Sequence, residues 1–433
     1  HRGPDDSGIF FQHNEHCSIG LGHARLSIID LSSKGHQPMS YKHLSIVYNG
    51  EIYNYREIKK ELKEIGHTFI STSDTEVILH AYEQWGRECV SHFIGMFAFA
   101  IFDAQSKELI LCRDRAGVKP LYYYWQNGVF IFGSELKSFS CHPMFCKDIN
   151  YDALALYFRY GIIPSPHCIF KATAKLSPGS LLIFNIPLQQ FILECYWDVL
   201  DYYRKPKLVI TYADAKEEVK NLLRSCCEYR MVSDVPVGVF LSGGYDSTSV
   251  AALLQHDRKE RIKTFTIGFE EEAFNEAPFA KEIAKHLGTD HTEYYCRSEE
   301  AKQIIPELPY YYDEPFADSS AIPTSLVSKV ARQKVKVALS ADAGDEIFAG
   351  YGTYVATLKN LRRVERIPSL FWKGVHMVGS YLPLHSHFGR KVRVASKVMR
   401  LTNKARAAAV LQEIAAHMEQ ENVRRLFKVT YED

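Results

Sequence analysis

The stretch of this chain best built to meet an anion is Val237-Gly238-Val239-Phe240-Leu241-Ser242-Gly243-Gly244-Tyr245-Asp246-Ser247. An apolar, β-branched run stops at Ser-Gly-Gly, and a helical pattern follows with Val250, Leu253 and Leu254 behind Asp246. A strand, a tight turn and a helix N-terminus together offer backbone N–H groups to a phosphate. The paired glycines let oxygens approach the backbone where a Cβ would intrude. The run is neither the Gly-x-x-x-x-Gly-Lys-Ser/Thr nucleotide loop nor the Gly-x-Gly-x-x-Gly dinucleotide fingerprint, and a plain strand-to-helix turn is the competing reading. A second turn of the same form, Ala338-Leu339-Ser340-Ala341-Asp342-Ala343-Gly344-Asp345-Glu346, carries three acids within five residues. Such acids either cap a helix dipole or, facing a phosphate loop, hold Mg²⁺ against triphosphate charge. Asp246 is then the natural partner of Asp345 as a metal ligand.

A third set lies near the start. Asn49-Gly50-Glu51 follows a strand-like run, and Arg25 sits in His23-Ala24-Arg25-Leu26-Ser27. An Asn amide beside a Gly N–H can aim two donors at one developing negative charge, as an oxyanion hole requires; a simple Asn-Gly turn is the alternative. No nucleophile is evident nearby, since Cys17 lies in a polar loop and Cys89 and Cys112 in apolar settings.

The bulk properties narrow the class. At 433 residues the chain is too long for one ordinary core, so two domains are expected. Lys plus Arg number 52 against 51 for Asp plus Glu, a balance that gives no sign of a nucleic-acid or membrane partner. The local excess of basic residues from 359 to 406, including Arg362, Arg390 and Lys397, reads as a solvated helix face, with a polyanion or phosphate contact as the alternative. Ten cysteines without a Cys-x-x-Cys pair argue against structural zinc and for reduced, mostly buried thiols in the cytoplasm. No apolar run approaches the length of a membrane span. The chain opens at His1 without a methionine and ends without a natural stop, so both ends are expected to be cut.

The elements that must position these groups fall into two kinds. Strands are expected at Ser18–Ile29, Leu44–Val47, Met96–Phe102, Leu109–Cys112, Leu121–Trp125 and Val129–Phe132, the last two joined by an Asn127-Gly128 turn. Helices are expected at Tyr55–Ile65 and Asp74–Trp85, the second opened by a Ser73/Glu76 capping box. Residues 1–145 thus read as an α+β sandwich of antiparallel sheets flanked by helices. Prolines punctuate a connecting segment over 146–210, although Ser180–Phe184 looks like a strand of the first domain. From 211 to 433 strands alternate with amphipathic helices, which means a doubly wound parallel α/β domain, and everything after Gly352 is helical in pattern. Ligands bind beyond the C-terminal ends of such strands, where the glycine turn falls.

Taken in order, these motifs resemble the glutamine-dependent asparagine synthetase family over nearly the whole chain. Those that carry the resemblance include His1-Arg2-Gly3-Pro4-Asp5, Arg25-Leu26-Ser27-Ile28, Asn49-Gly50-Glu51-Ile52-Tyr53-Asn54, Ser73-Asp74-Thr75-Glu76 and Arg113 to Tyr122. Ser233-Asp234-Val235-Pro236, Ser242 to Ser247 and Ser340 to Tyr351 complete them. The resemblance implies an N-terminal-nucleophile glutaminase domain of two stacked antiparallel sheets, with Arg25, Asn49, Gly50, Glu51 and Asp74 holding glutamine. It implies a second domain of the ATP-pyrophosphatase group that adenylates aspartate and amidates it with ammonia delivered internally. There Leu241, Ser242, Gly243, Gly244, Asp246, Ser247, Ile267, Ser340 and Ala341 are expected to bind ATP. Asp246 and Asp345 are expected to hold Mg²⁺, and Asp342 to act in catalysis alongside Asn49 and Gly50 in the first domain. A cytoplasmic enzyme, compatible with a homodimer, is the expectation.

The departures from the family are expectations too. Its nucleophilic cysteine should precede His1, so the chain as written is not expected to hydrolyse glutamine. A lysine and an acidic/arginine-rich segment should follow the last residue. Ala341 and Ala343 stand where the family usually has glycine, and Tyr245 where it has leucine. A relative that amidates a sugar acid in polysaccharide assembly is the alternative enzyme. A scaffold that kept the fold and lost ATP binding is the alternative outside catalysis.

Overall fold

In a computed structural model of the chain the described residues are 1–13, 17–271 and 275–365, with isolated positions from 409 to 426. They fall into two compact units. The first comprises 1–150, 164–314 and 319–340; the second comprises 151–163, 315–318 and 341–433.

The first unit begins with the strands β1 (Asp6–His13), β2 (Ser18–Arg25), β3 (Met39–Tyr41), β4 (Leu44–Ile52), β5 (Gly95–Asp103) and β6 (Glu108–Arg113). They are followed by β7 (Tyr122–Gln126), β8 (Val129–Gly133), β9 (Thr173–Lys175), β10 (Ser180–Asn185) and β11 (Gln190–Cys195). Six form one antiparallel sheet in the order β11-β10-β6-β5-β4-β3, while β1-β2 and β8-β7-β9 form smaller sheets. The side-chain period of two sorts residues between the faces. Phe97, Phe99 and Ile101 of β5 pack with Ile46 and Ile52 beneath the helices α1 (Tyr55–Glu64) and α2 (Asp74–Trp85). Ala98, Ala100 and Phe102 turn the other way and pack with Val47 against Leu21 of β2 and Leu121 and Trp125 beside β8. The expected antiparallel sandwich flanked by helices is therefore present.

Several local expectations change. β2 ends at Arg25 rather than Ile29; its pairing with β1 also ends there, opposite Asp6, and the chain then turns at Asp30 with φ +56°. β4 runs on to Ile52, so Asn49, Gly50 and Glu51 lie within a strand rather than after one. Ser73 caps α2 through Thr75 N, but Glu76 makes no capping box. Its carboxylate instead accepts from Ile70 N, Ser71 N and Ser71 Oγ. The stretch expected to join the domains supplies β9, β10 and β11 to the antiparallel sheets, and α3 (Tyr151–Tyr160) to the second unit. Asn127-Gly128 forms the hairpin turn as expected, with both residues at positive φ.

The parallel sheet of the first unit has the order β14-β13-β12-β15, built from β12 (Val237–Phe240), β13 (Lys263–Phe269), β14 (Asp290–Cys296) and β15 (Val337–Leu339). One face packs on α4 (Tyr212–Arg230), α5 (Tyr245–His256) and α6 (Ala277–Leu287), through Cys227, Leu254 and Ala280. The other packs on α7 (Ala321–Ala331) through Phe265, Val327 and Ala331. Helices on both faces make it doubly wound. In the second unit the acidic turn opens a short helix, α8 (Gly344–Phe348), which stops at Ala349 with φ +56°. A further helix, α9 (Gly352–Glu365), follows; the helical and basic pattern expected over 366–406 lies outside the described residues. Five cysteines are buried, four exposed and one intermediate, so "mostly buried" holds for only half of them, and none is in a disulfide. Among the described residues no helix is long and apolar enough to cross a membrane.

One carboxylate organises the loop after β6. Asp114, buried to 1% exposure, accepts from Ala116 N and Val118 N on Oδ1, and from Phe97 N and Lys119 N on Oδ2. Arg113 beside it donates to the carbonyls of Gly117, Lys119 and Leu176. Asp114→Ala would strand the buried Phe97 N–H and remove the acceptor of three part-buried N–H groups, an unsatisfied buried group costing about 1–3 kcal/mol. The expected outcome is a loss of roughly 3 kcal/mol or more, read as a lower midpoint for the first urea transition of the chain.

Candidate functional site

The antiparallel part of the first unit carries an open-mouthed cavity of about 650 Å³. Every residue expected to hold a ligand there lines it: Arg25, Asn49, Gly50, Glu51 and Asp74. The alternation along β4 sends Asn49 and Glu51 to the face where β5 carries Ala98, and the register sets Asn49 opposite Ala98. Small side chains on β5 thus leave the space that polar ones on β4 face. Gly50 has its own steric reason, since a Cβ there would sit 2.2 Å from the Met96 carbonyl oxygen.

Arg25 is buried, and its guanidinium donates to the carbonyls of Ile29 (3.2 Å), Asp30 (2.5 Å) and Ser32 (3.3 Å). A Cβ at Gly35 would fall 2.0 Å from Arg25 Nη2, so glycine is required for this lock. Three hydrogen bonds from Nη1 and Nη2 position the side chain of this cavity-lining residue. Asp74, at the first turn of α2, accepts from Tyr48 Oη (2.8 Å) and Ile52 N (3.0 Å). Burial raises its pKa to about 6. Glu51 rises to about 7, first through burial and then through the charge of Asp74. Two acids kept ionised with difficulty, an arginine, and an amide beside a glycine N–H are the parts needed to recognise an amino-acid zwitterion and to stabilise an oxyanion.

Sequence reasoning missed other lining residues. Lys119 enters the cavity with its pKa lowered by burial and partly restored by Glu51. The cage around Asp114 places it there, and the Arg113-to-Tyr122 motif was the available signal. His23 Nε2 meets the Tyr48 carbonyl at 2.9 Å, while its buried Nδ1 has no partner among the described residues. Ser134 Oγ accepts from Asn49 Nδ2 at 3.2 Å. No cysteine lines the cavity. Cys89 and Cys112 are buried with their thiols pushed well above the ordinary range, which makes both poor nucleophiles.

The parallel sheet carries the second set. β12 lies between β13 and β15, so the chain order reverses beside it, and the loops opening with Ser242 and Ser340 leave neighbouring strands. Gly243 has φ +89°, and a Cβ there would meet Phe279 Cβ at 3.1 Å. Gly244 starts α5 without any side-chain cap, leaving the helix N-terminus open to an anion. Ser247 is buried; its Oγ accepts from Ser242 N (3.1 Å) and pairs with Ser242 Oγ (2.9 Å), folding the loop on itself. Asp246 is exposed, and no described residue bonds its carboxylate. Leu241 and Ile267 differ from surface pocket residues. The Leu241 side chain is core, with its N–H donating to the Phe265 carbonyl and its carbonyl accepting from Thr266 Oγ1. Ile267 packs with Cys296 and Leu326.

In the second unit Asp342 is exposed and Asp345 opens α8. Ala343, where the family usually has glycine, adopts φ +72°. Gly350 closes the turn, its N–H donating to the Asp345 carbonyl at 2.9 Å, and a Cβ there would lie 1.9 Å from Asp345 Oδ1. Asp246 and Asp345, in separate units, each offer hard oxygen donors. Mg²⁺ is commonly held by one or two carboxylates together with substrate phosphates, so the donor types fit.

A family model described as a glutamine amidotransferase domain matches residues 1–197, and one described as asparagine synthase matches 218–432. A protein of Methanocaldococcus jannaschii assigned by name as asparagine synthetase [glutamine-hydrolyzing] 2 is 44% identical over 407 residues, 89% of this chain and 76% of that one. Asparagine synthetase [glutamine-hydrolyzing] 1 of Bacillus subtilis is 39% identical over 391 residues, and the match spans 88% of this chain but 59% of the relative. The glutamine phosphoribosylpyrophosphate amidotransferase of B. subtilis, solved with ADP and GMP, superposes with a TM-score of 0.35 and 15% identity, covering 75% of this chain and 91% of that one. So loose a match adds nothing to the fold read from the sheets.

Two outcomes are expected. Glu51 holds its proton to about pH 7 in the folded protein against 4.5 for the ordinary group. The folded state therefore binds more protons across that window, and the stability this contributes, complete below pH 4.5, is lost as the pH rises through about 7. Glu51→Gln should raise the urea midpoint relative to the parent at pH 8, by at most ~3 kcal/mol, and leave it unchanged at pH 4. Ala343→Gly should remove the left-handed strain and add about 1 kcal/mol, measured by the same denaturation at constant pH.

Proposed function

The chain belongs to the glutamine-hydrolysing asparagine synthetase family, and on that premise we propose that its parent protein converts aspartate, glutamine, ATP and water to asparagine, glutamate, AMP and pyrophosphate. The observation that carries the first half is the convergence of Arg25, Asn49, Gly50, Glu51 and Asp74 on one cavity. Arg25 receives the α-carboxylate of glutamine, and Glu51 and Asp74 receive its ammonium group. Asn49 and the Gly50 N–H face the side-chain carbonyl, whose oxygen becomes negative as the amide is attacked.

In the second half, the Gly243 N–H and the open start of α5 take the phosphates of ATP, while the Ser242 and Gly244 N–H groups, bonded to Ser247 Oγ and Ser242 Oγ, keep that loop folded. Asp246 and Asp345 would each offer a carboxylate to Mg²⁺, which when bound would offset the triphosphate charge. The β-carboxylate of aspartate attacks the α-phosphorus, pyrophosphate leaves, and ammonia then displaces AMP from the aspartyl adenylate, with Asp342 beside the reacting carboxyl. Adenylation is needed because a carboxylate oxygen is a poor leaving group. Delivery of ammonia inside the protein is needed because free ammonia is mostly protonated at neutral pH. Leu241 and Ile267 supply the wall and backbone beside the nucleoside, and Ser340 and Ala341 border it. On the same reading the enzyme works in the cytoplasm, with a homodimer as its expected assembly.

The test is product analysis on the full-length protein given ATP, Mg²⁺, glutamine and aspartate. Asparagine and pyrophosphate should form together; pyrophosphate without asparagine would sink the reading. Asp246→Asn should lower ATP–pyrophosphate exchange by ~100-fold or more and leave glutamine hydrolysis largely intact.

A further inference from the structure

Two adjacent acids outside both candidate sites, Asp313 and Glu314, are buried in the first unit although they belong to the synthetase half of the sequence. Their side chains are 8% and 9% exposed, and each is fully engaged with residues of the glutaminase half. Asp313 Oδ2 accepts from Leu136 N at 2.7 Å, and Oδ1 pairs with Lys137 Nζ at 2.9 Å. Glu314 Oε1 accepts from Ile169 N at 2.8 Å, and Oε2 pairs with Lys175 Nζ at 2.6 Å. Carboxylates this buried are costly unless every oxygen is answered, and removing one partner leaves a large penalty.

What Asp313 holds is the wall of the glutamine cavity. Leu136 follows Ser134 and Glu135, and both of those line the cavity. Glu135 Oε1 also meets Lys137 Nζ at 3.0 Å and Arg2 Nε at 2.7 Å, so the turn is pinned by charge on both sides. Ser134 Oγ in turn accepts from the Asn49 amide. A continuous path therefore runs from Asp313 through the 134–136 turn to the side chain that faces the developing oxyanion. The residues that grip the ends of the amino acid, Arg25 and Asp74, have none of their hydrogen bonds on this path.

We propose that Asp313 and Glu314 form a latch by which the synthetase half positions the Ser134 turn, and through it the Asn49 amide, so that glutamine turnover depends on the docking of the two halves. Both are positioning residues, and the inference rests on the function proposed above. Loosening the latch should act on the oxyanion donor and spare the groups that bind the ground-state substrate.

The experiment uses the full-length protein and measures glutamine hydrolysis and ammonia-dependent asparagine synthesis separately. Asp313→Ala removes the acceptor for Leu136 N and the charge facing Lys137; Asp313→Asn keeps an acceptor oxygen. The alanine variant should lose about 10-fold or more in kcat for glutamine, as a misplaced catalytic group does, with KM changed less than about 2-fold and ammonia-dependent synthesis retained. The asparagine variant should recover a large part of that loss. Ser134→Ala approaches the same path from the cavity and should reproduce the fall in kcat even if the Asp313 variants fold poorly. An unchanged kcat in Ser134→Ala, or a loss in Asp313→Ala that appears equally in KM and in ammonia-dependent synthesis, would overturn the latch. Absence of ammonia-dependent synthesis in the parent protein would instead overturn the proposed function.

Discussion

The pairing of β4 with β5 is the constraint on which the first unit depends. The ladder runs without interruption from Leu44 opposite Asp103 to Ile52 opposite Gly95. A slip of one residue would exchange the two faces of β4 and send Asn49 and Glu51 into the helix-covered core while Tyr48 and Ile52 faced the cavity. Two features prevent this. Phe97, Phe99 and Ile101 fill one face and Ala98 and Ala100 the other, so only one register packs well. Gly50 admits the close approach of Met96 and could not be shifted along the strand without a clash.

Much of this was legible in the chain itself. The alternation of strand and helix after residue 211 gave the parallel sheet, and Asn127-Gly128 gave the hairpin, because those signals are local and act through backbone preference. The membership of the cavity was legible only through family resemblance, since Arg25, Glu51 and Asp74 lie on three separate elements and meet only in the folded sheet. β1 and β11 escaped notice because half of each strand is polar or exposed, which weakens the apolar run that marks a buried strand. Ser134 escaped for another reason: its turn is held by the distant carboxylate of Asp313, and no spacing rule reports such a partner, whereas the carboxylate that places Lys119, Asp114, lies in the same Arg113-to-Tyr122 motif. Glu76 shows the limit of a motif, since its spacing from Ser73 fits a capping box while its oxygens serve Ser71 and Ile70.

The same device recurs across the molecule. A buried carboxylate gathers several backbone N–H groups and thereby fixes a loop that bears a functional side chain. Asp114 does this for Lys119 and Asp30 for the turn beneath Arg25 through Ser32 N and Thr72 N, while Asp313 holds the turn bearing Ser134 through a single N–H, that of Leu136, and the charge of Lys137. Loops held this way keep a defined shape without regular secondary structure, and they bring Lys119 and Ser134 to working groups that sit on strands and at helix starts.

The cavity adds a further consequence. Glu51 and Asp74 lie close together in a poorly solvated space, so at neutral pH and above the vacant protein carries an unfavourable anionic pair. A bound ammonium group would supply the missing counter-charge. Folding and recognition therefore oppose one another at this spot: the arrangement that weakens the empty state is the one that rewards the guest, and a more robust cavity would be a less hungry one.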